Sequence, residues 1–243
     1  MKLNFFKQAK KTKKRRPEIC LSLNCSNMAE IIAEIAEYGE FAQIIEWCAD
    51  KMEGAESYSK EAFLIDAEQV KRFCGKKKLI IDYKGDEVMT NKVMRWAMDI
   101  ADIIDIDADN SELERLVREA KRKKVKTLIS YHNFDGMPTK DQIAEQYLKM
   151  EKRGGDILKV ACFAENEVDT YAILEGAAAY SQLNAALPIV AIAMGQEGQV
   201  SRICAGDFGS VISWACGSKT TAPGQFNARQ LAKYMDNYYK EEK

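Results

Sequence analysis

The sequence is poor in the residues that build metal centres. Among its 243 residues there is one histidine, His132, so a site built from several imidazoles is excluded. The seven cysteines form no Cys-x-x-Cys pair, and an odd number of cysteines without an export signal does not indicate a disulfide framework. We therefore expect no metal ion, and we expect most cysteines to be small buried apolar residues.

Long apolar runs are also absent. No stretch approaches the roughly 18 apolar residues that span a bilayer, and no apolar core of a secretory signal follows the basic N-terminus. The composition, with 47% hydrophobic and 30% charged residues, is ordinary for a globular protein. We therefore expect a cytoplasmic protein that does not bind membranes.

Acidic residues are missing from the first sixteen positions, which hold eight lysines and arginines. Because the whole chain carries a net charge of −1, the remainder carries −9. A basic arm can bind nucleic acid or an anionic surface, but a solvated, mobile tail is the commoner role of such a terminus. We predict a flexible arm over residues 1–17, and the acidic body does not favour nucleic acid as a partner.

Short apolar segments alternate with longer helical patterns along the rest of the chain. One of the helical patterns opens with Ser111 and Glu114 in capping-box spacing. The predicted strands are residues 18–23, 43–47, 78–83, 103–107, 125–131, 156–162, 187–194 and 209–216.

Eight strand–helix units with near-continuous apolar strands indicate a parallel sheet. At this length they predict an α/β protein with a single-domain (β/α)8 TIM barrel over residues 18–243. A doubly wound open sheet is the alternative. It would carry a Gly-rich phosphate turn after the first strand, where this sequence has NCSNMAE.

Polar side chains occur inside or just after several predicted strands, where a barrel places its active site. Lys159 stands in the apolar run 157–163, although a lysine is almost never fully buried unpaired. A dry cavity disfavours its ammonium form, so the amine can attack a ketone and form an imine. His132 ends the neighbouring strand and can move protons beside the imine, and Arg202 follows the next strand and can bind a carboxylate.

Each of these three residues also has a structural interpretation. Lys159 could pair with an aspartate of the fourth strand, Asp105 or Asp107. His132 could be a loop residue with satisfied hydrogen bonds, and Arg202 could lie at the surface. Their joint occurrence at strand ends favours a site for carbonyl chemistry over the three separate interpretations.

At these positions the sequence resembles the type I 3-dehydroquinate dehydratases, over about residues 18–231. YKGDE aligns with the family's R-x-x-x-E segment. SYHNF resembles S-x-HDF, GGDILKVA resembles GADIxKIA, and IIEWCAD resembles EWR-x-D. MGQEGQVSR resembles M-x-x-x-G-x-x-SR, and TTAPGQ resembles SAPGQ.

The resemblance implies three catalytic residues: Lys159 as the imine-forming lysine, His132 as the general acid and base, and Glu87 as the carboxylate that orients the histidine. It also implies substrate contacts from seven residues, namely Ser22, Glu46, Tyr83, Met194, Arg202, Thr221 and Gln225. The implied reaction is loss of water from 3-dehydroquinate to give 3-dehydroshikimate, in the shikimate pathway and without a cofactor. The implied partners are a small hydroxylated cyclic keto acid and a second copy of the chain, as a homodimer.

The sequence departs from the family at two positions that hold the substrate. Cys48 stands where the family has an arginine on the second strand, and Tyr83 aligns with its arginine on the third. A hydrogen bond to a charged group is worth roughly 1.5–3 kcal/mol, so losing two would slow turnover by roughly 10²- to 10⁴-fold. Two alternatives therefore stay open: a Schiff-base lyase or aldolase for another small keto acid, and a catalytically silent paralogue that binds a ligand.

Overall fold

The computed structural model describes residues 16–183 and 187–240. Its eight strands are β1 (Glu18–Leu23), β2 (Ile44–Cys48), β3 (Lys78–Asp82), β4 (Ile103–Asp107), β5 (Lys126–Asn133), β6 (Ile157–Phe163), β7 (Ile189–Met194) and β8 (Ile212–Cys216). Its α-helices are α1 (Met28–Tyr38), α2 (Lys60–Cys74), α3 (Glu87–Ala97), α4 (Leu113–Lys123), α5 (Lys140–Lys152), α6 (Glu167–Ser181), α7 (Gln199–Cys204) and α8 (Ala228–Tyr238).

All strand pairs of the sheet are parallel. They follow the order β7-β6-β5-β4-β3-β2-β1-β8, so β1 joins β2 on one side and β8 on the other. Between β7 and β8 the ladder is reduced to a bridge from Ile189 to Ser210 and a hydrogen bond of 2.8 Å from Val211 N to Ile189 O. The predicted (β/α)8 TIM barrel is confirmed, with its closure at this thinner seam.

Strand side chains alternate between two separate cores, which is why the strands read as continuous apolar runs. The outer core lies between the strands and the helices and contains Leu79, Ile81 and Tyr83 of the β3 segment. The inner core fills the barrel and contains Ile80 of the same strand. Residues two apart therefore share a face, and Asp82 follows Ile80 toward the barrel interior.

Several helices begin at a residue whose side chain caps the first turn, which apolar periodicity alone does not reveal. In α5, Thr139 and Gln142 form a reciprocal capping box. The box predicted from Ser111 and Glu114 is wrong, because α4 begins at Leu113 and no side chain caps it. Glu114 instead forms an ion pair with Arg153 at 2.7 Å.

The N-terminal arm predicted over residues 1–17 lies outside the described residues, apart from its last two positions. Of these, Arg16 forms an ion pair of 3.0 Å with Asp236. None of the helices between residues 16 and 240, where the chain is described, has the length and apolar character that crossing a membrane requires.

Candidate active site

A cavity of about 350 Å³ opens at the carboxyl ends of the strands. Two of the ten site residues expected from the sequence, Tyr83 and Glu87, do not line it. The other eight do: Ser22, Glu46, His132, Lys159, Met194, Arg202, Thr221 and Gln225.

Lys159 projects into the cavity from β6 and is only 6% exposed. Its Nζ donates to Asp105 Oδ2 at 3.3 Å and lies 4.5 Å from the centre of the Trp214 ring. Burial alone would lower the pKa of Lys159, but the carboxylates of Asp105 and Glu46 outweigh it, and the pKa is raised. The two carboxylates therefore favour the ammonium form, against the effect that dry surroundings alone would have. In the ligand-free protein the residue is an ammonium paired with a strand-four aspartate.

His132 projects from β5 on the same face of the sheet as Lys159. Ser130 is paired in register with Lys159, and His132 is paired with Ala161, so the imidazole lies one pleat closer to the cavity mouth. Burial, followed by the charges of Lys159 and Lys84, lowers the pKa of His132 well below its ordinary value. The ring is therefore neutral at neutral pH and can accept a proton.

Arg202 lies on α7 and is only 2% exposed. Its Nη1 donates to the Trp214 carbonyl at 3.2 Å and its Nη2 to the Pro223 carbonyl at 3.0 Å, while Nε has no hydrogen-bond partner among the described residues. No acidic side chain of the described chain forms an ion pair with it, and burial lowers its pKa to about 10. A buried cation without a counter-ion is costly, so this guanidinium is suited to an anionic ligand group.

The loop after β8 covers the Arg202 side of the cavity. Gln225 Oε1 accepts hydrogen bonds from Thr221 N at 2.7 Å and Ala222 N at 3.1 Å, and Gln225 Nε2 donates to Thr221 Oγ1 at 2.8 Å. Gly224 has a φ of +73°, and a Cβ there would lie 2.0 Å from the Gly195 carbonyl oxygen. Glycine is therefore required for the loop to pack against the turn after β7.

The opposite wall of the cavity is acidic. The Ser22 hydroxyl donates to Glu46 Oε2, and Glu46 Oε1 has no partner in the described parts of the chain. Cys48 Sγ lies 3.5 Å from Ser22 Oγ, and burial with the Glu46 charge raises the pKa of its thiol, so it is no nucleophile at neutral pH. Asp82 on β3 is the register partner of Cys48, and burial raises the pKa of Asp82 to about 8.

Tyr83, predicted to contact substrate, lies outside the cavity. Because strand side chains alternate, Tyr83 points into the outer core, where its hydroxyl donates to the Ala55 carbonyl at 3.0 Å. The cavity-lining residues of this segment are Asp82 and Lys84, which the sequence analysis did not identify. The alternation from Ile80 was the signal that could have found them.

Glu87, predicted to orient the histidine, makes a different contact in the structure. Glu87 is exposed in the first turn of α3, and its Oε1 accepts from Ser111 N at 2.7 Å. Hydrogen bonds from Ser111 lower its pKa. The group beside the histidine is instead Lys84, whose Nζ lies 3.4 Å from His132 Nδ1.

The barrel and its cavity define a TIM-barrel enzyme with an amine, an imidazole and a guanidinium at the strand ends. The family model of the type I 3-dehydroquinases matches residues 19–242, and the chain belongs to this family of hydro-lyases. It is 28% identical over 241 residues to the 3-dehydroquinate dehydratase of Clostridioides difficile (strain 630), with 93% of each chain covered. It is 27% identical over 242 residues to that of Alkaliphilus oremlandii, with 92% of each covered.

A solved structure gives the same fold. The type I 3-dehydroquinate dehydratase of Clostridium difficile, determined with covalently modified comenic acid, superposes with a TM-score of 0.85 at 24% identity. The alignment covers 94% of each chain. The whole barrel is therefore shared, and the differences that matter for chemistry lie in individual side chains.

Proposed function

We propose that this protein dehydrates 3-dehydroquinate to 3-dehydroshikimate in the shikimate pathway, through a Schiff base on Lys159. The observation that carries the proposal is that Lys159, His132 and Arg202, which has no ion-pair partner among the described residues, line the same cavity. The reaction needs no metal or diffusible cofactor, because the imine itself serves as the electron sink.

The carboxylate that helps to raise the pKa of Lys159 also stabilises the cation formed in this chemistry. Arg202 binds the substrate carboxylate and holds the ketone beside the amine. Once the Lys159 ammonium has given a proton to solvent in the cavity, its nitrogen attacks the carbonyl carbon, and a proton moves from nitrogen to oxygen to give a carbinolamine. The carbinolamine hydroxyl takes a further proton, supplied through His132, and leaves as water. The product is an iminium cation at the position that the ammonium held, so Asp105, 3.3 Å from Nζ, stabilises it in turn.

His132 then moves the protons. Its neutral ring takes the C2 proton, and the electrons of that bond form an enamine. The enamine expels the C1 hydroxyl, which leaves as water after receiving a proton from His132. Water then hydrolyses the iminium and frees the product. Glu46, with one free carboxylate oxygen, and Asp82 contact the ring hydroxyls.

Reductive trapping tests the proposal. Borohydride added during turnover of 3-dehydroquinate should leave a ligand-derived mass on the peptide that contains Lys159. The matched variant is Lys159→Arg, which keeps a cation beside Asp105 but cannot form an imine, so it should show neither adduct nor product. Product formation by Lys159→Arg at the parent's rate would refute the imine.

A second candidate function is the same imine chemistry on a different small keto acid. Cys48 and Asp82 favour it, because they present a thiol and a carboxyl group to the cavity rather than cations. Trapping with a panel of keto acids separates the candidates. An adduct with another keto acid and none with 3-dehydroquinate would support the second, and no adduct with any of them would indicate a silent ligand-binding paralogue.

Three further properties belong to this proposal: a cytoplasmic location, a homodimer, and a division into a basic arm over residues 1–17 and one barrel over residues 18–243. Exposed apolar side chains on α6, Val168 at 70% and Tyr171 at 61%, support an interface with a second copy. Sedimentation of the full chain and of a chain starting at residue 16 would test the dimer and the independence of the barrel.

A further inference from the structure

The imidazole of His132 has an unusual neighbour. Lys84 follows β3 by two residues, and its Nζ lies 3.4 Å from His132 Nδ1 and 3.9 Å from Asp82 Oδ2. A carboxylate accepts a hydrogen from an imidazole, whereas an ammonium can only donate one. The two kinds of neighbour therefore select opposite tautomers of the ring.

We propose that Lys84 is the positioning residue for His132, donating a hydrogen bond to Nδ1 and so placing the ring hydrogen on Nε2. The contact supports this direction, because Lys84 has no acceptor capacity. Burial would lower the pKa of Lys84, but Asp82 and Asp105 outweigh it and raise the pKa, so the residue remains an ammonium at neutral pH.

The charges around this pair come from several elements. Lys159 on β6 and Lys84 act on His132 itself, and both disfavour the imidazolium. Four carboxylates on β2, β3 and β4 act on Lys84 and keep it charged: Asp82, Asp105, Glu46 and Asp107. Of the two cations, Lys84 is the one whose ammonium lies 3.4 Å from His132 Nδ1.

For catalysis, this inference rests on the proposed function. A ring that carries its hydrogen on Nε2 begins as an acid, which suits the first step, departure of the carbinolamine hydroxyl as water. As Nε2 gives up its hydrogen, Nδ1 can take one from Lys84, and the ring is neutral again with Nε2 free to accept the C2 proton. Lys84, with its side chain 43% exposed, regains its proton from solvent.

The chain offers a direct measurement, because His132 is its one histidine. Nitrogen-15 NMR of histidine-labelled protein reports the tautomer and pKa of this ring with no other imidazole in the spectrum. The parent should show a pyridine-like Nδ1 and a protonated Nε2. In Lys84→Met the pKa of His132 should rise, because a neighbouring cation is lost.

Two variants serve as controls. Lys84→Arg keeps a donor cation, so the tautomer and the low pKa should persist. Lys51→Met removes another cation that lines the cavity, but Lys51 pairs with Asp50 at 2.7 Å and does not act on His132, so the titration should stay unchanged. A parent ring protonated on Nδ1, or a Lys84→Met ring with unchanged tautomer and pKa, would overturn the proposal.

Kinetics separate this inference from the proposed function. With 3-dehydroquinate, Lys84→Met should lower kcat by about 10²-fold, the lower end of what acid–base catalysis contributes. The acid limb of its pH–rate profile should move to higher pH, with a smaller change in KM. If the parent does not turn over 3-dehydroquinate but the NMR result holds, the function is wrong and the role of Lys84 stands.

Discussion

At the scale of single residues, the cavity is organised by which buried charges have partners. Lys159 has Asp105 at 3.3 Å, so its burial is compensated within the protein. Arg202 and one oxygen of Glu46 lack such partners among the described residues. A ligand with a carboxylate at one end and hydroxyls at the other would complete both, and this complementarity favours a hydroxylated keto acid as substrate.

Asp82 should make the stability of the fold depend on pH. An unfolded aspartate has a pKa of about 3.9, whereas burial raises the pKa of Asp82 to about 8. Between these values the folded protein holds a proton that the unfolded chain releases, so stability falls as pH rises. Asp82→Asn removes this loss, on the order of 3 kcal/mol between about pH 5 and about pH 8.

Urea unfolding of the parent and of Asp82→Asn across this pH range measures the difference. The control is Glu87→Gln. Hydrogen bonds from Ser111 lower the pKa of Glu87, so it is ionised in both the folded and the unfolded chain across this range, and the variant should keep the parent's pH dependence. Parallel stability curves for the parent and Asp82→Asn would show that Asp82 titrates alike in the folded and unfolded chains.

A site residue could be predicted from the sequence where its residue type was unusual for its surroundings or matched a motif. Lys159 was visible because a lysine in an apolar strand needs an explanation, and Arg202 because it followed a strand in a known motif. Asp82 and Lys84 were missed because the motif was aligned by residue type, which placed Tyr83 in the site. The partner of Lys159 could not be chosen from sequence, since Asp105 and Asp107 are two residues apart on β4 and therefore point to the same face.

At the scale of elements, the strands were predicted closely and the helix starts less so. β1 and β4 have the predicted limits, because buried parallel strands are marked by their apolar runs. The helical pattern NKVMRWAMDIA predicts a helix from residue 91. α3 begins four residues earlier, at Glu87, because the Asp86 side chain accepts from Met89 N and caps it. Apolar periodicity does not show which side chain caps a helix. The spacing of Ser111 and Glu114 predicted a capping box in α4, whereas the box that forms is in α5.

The loop after β8 should be sensitive to a single methyl group. In Gly224→Ala the new Cβ would lie 2.0 Å from the Gly195 carbonyl oxygen, so the loop that carries Thr221 and Gln225 must move. We expect weaker ligand binding, a higher KM, and a stability loss beyond the roughly 1–2 kcal/mol that a left-handed φ costs a residue with a Cβ.

Gly54→Ala is the matched control for this substitution. Gly54 has a similar φ of +78°, but nothing lies within 4 Å of a Cβ built there. It should therefore show only the cost of the backbone conformation and leave KM unchanged. Calorimetry and substrate titration of both variants measure the two effects. Equal KM values for Gly224→Ala and the parent would mean that the loop does not shape the binding site.

At the scale of the whole molecule, the barrel separates the packing that makes it stable from the charges that make it reactive. The outer core joins every strand to the helices, and the inner core reaches the cavity at residues such as Trp214 and Met194. Beside them the cavity wall carries charged side chains, including Glu46 and Lys159. A buried ion pair is often no more stabilising than apolar residues of the same volume. The stability of the barrel therefore comes from its two apolar cores rather than from the charged side chains of the cavity.

The Lys159–Asp105 pair allows a test of this separation on global stability. Lys159→Met leaves Asp105 buried without its partner, so the free energy of unfolding should fall by about 3 kcal/mol. Asp105→Asn in the same chain removes the stranded charge, and the double variant should return to within about 1 kcal/mol of the parent while remaining inactive. Urea unfolding of the four proteins of this cycle, each without ligand, gives the coupling. Additive losses in the double variant would mean that the coupling is zero, so that Lys159 and Asp105 do not compensate each other and the loss in Lys159→Met is not that of a stranded charge.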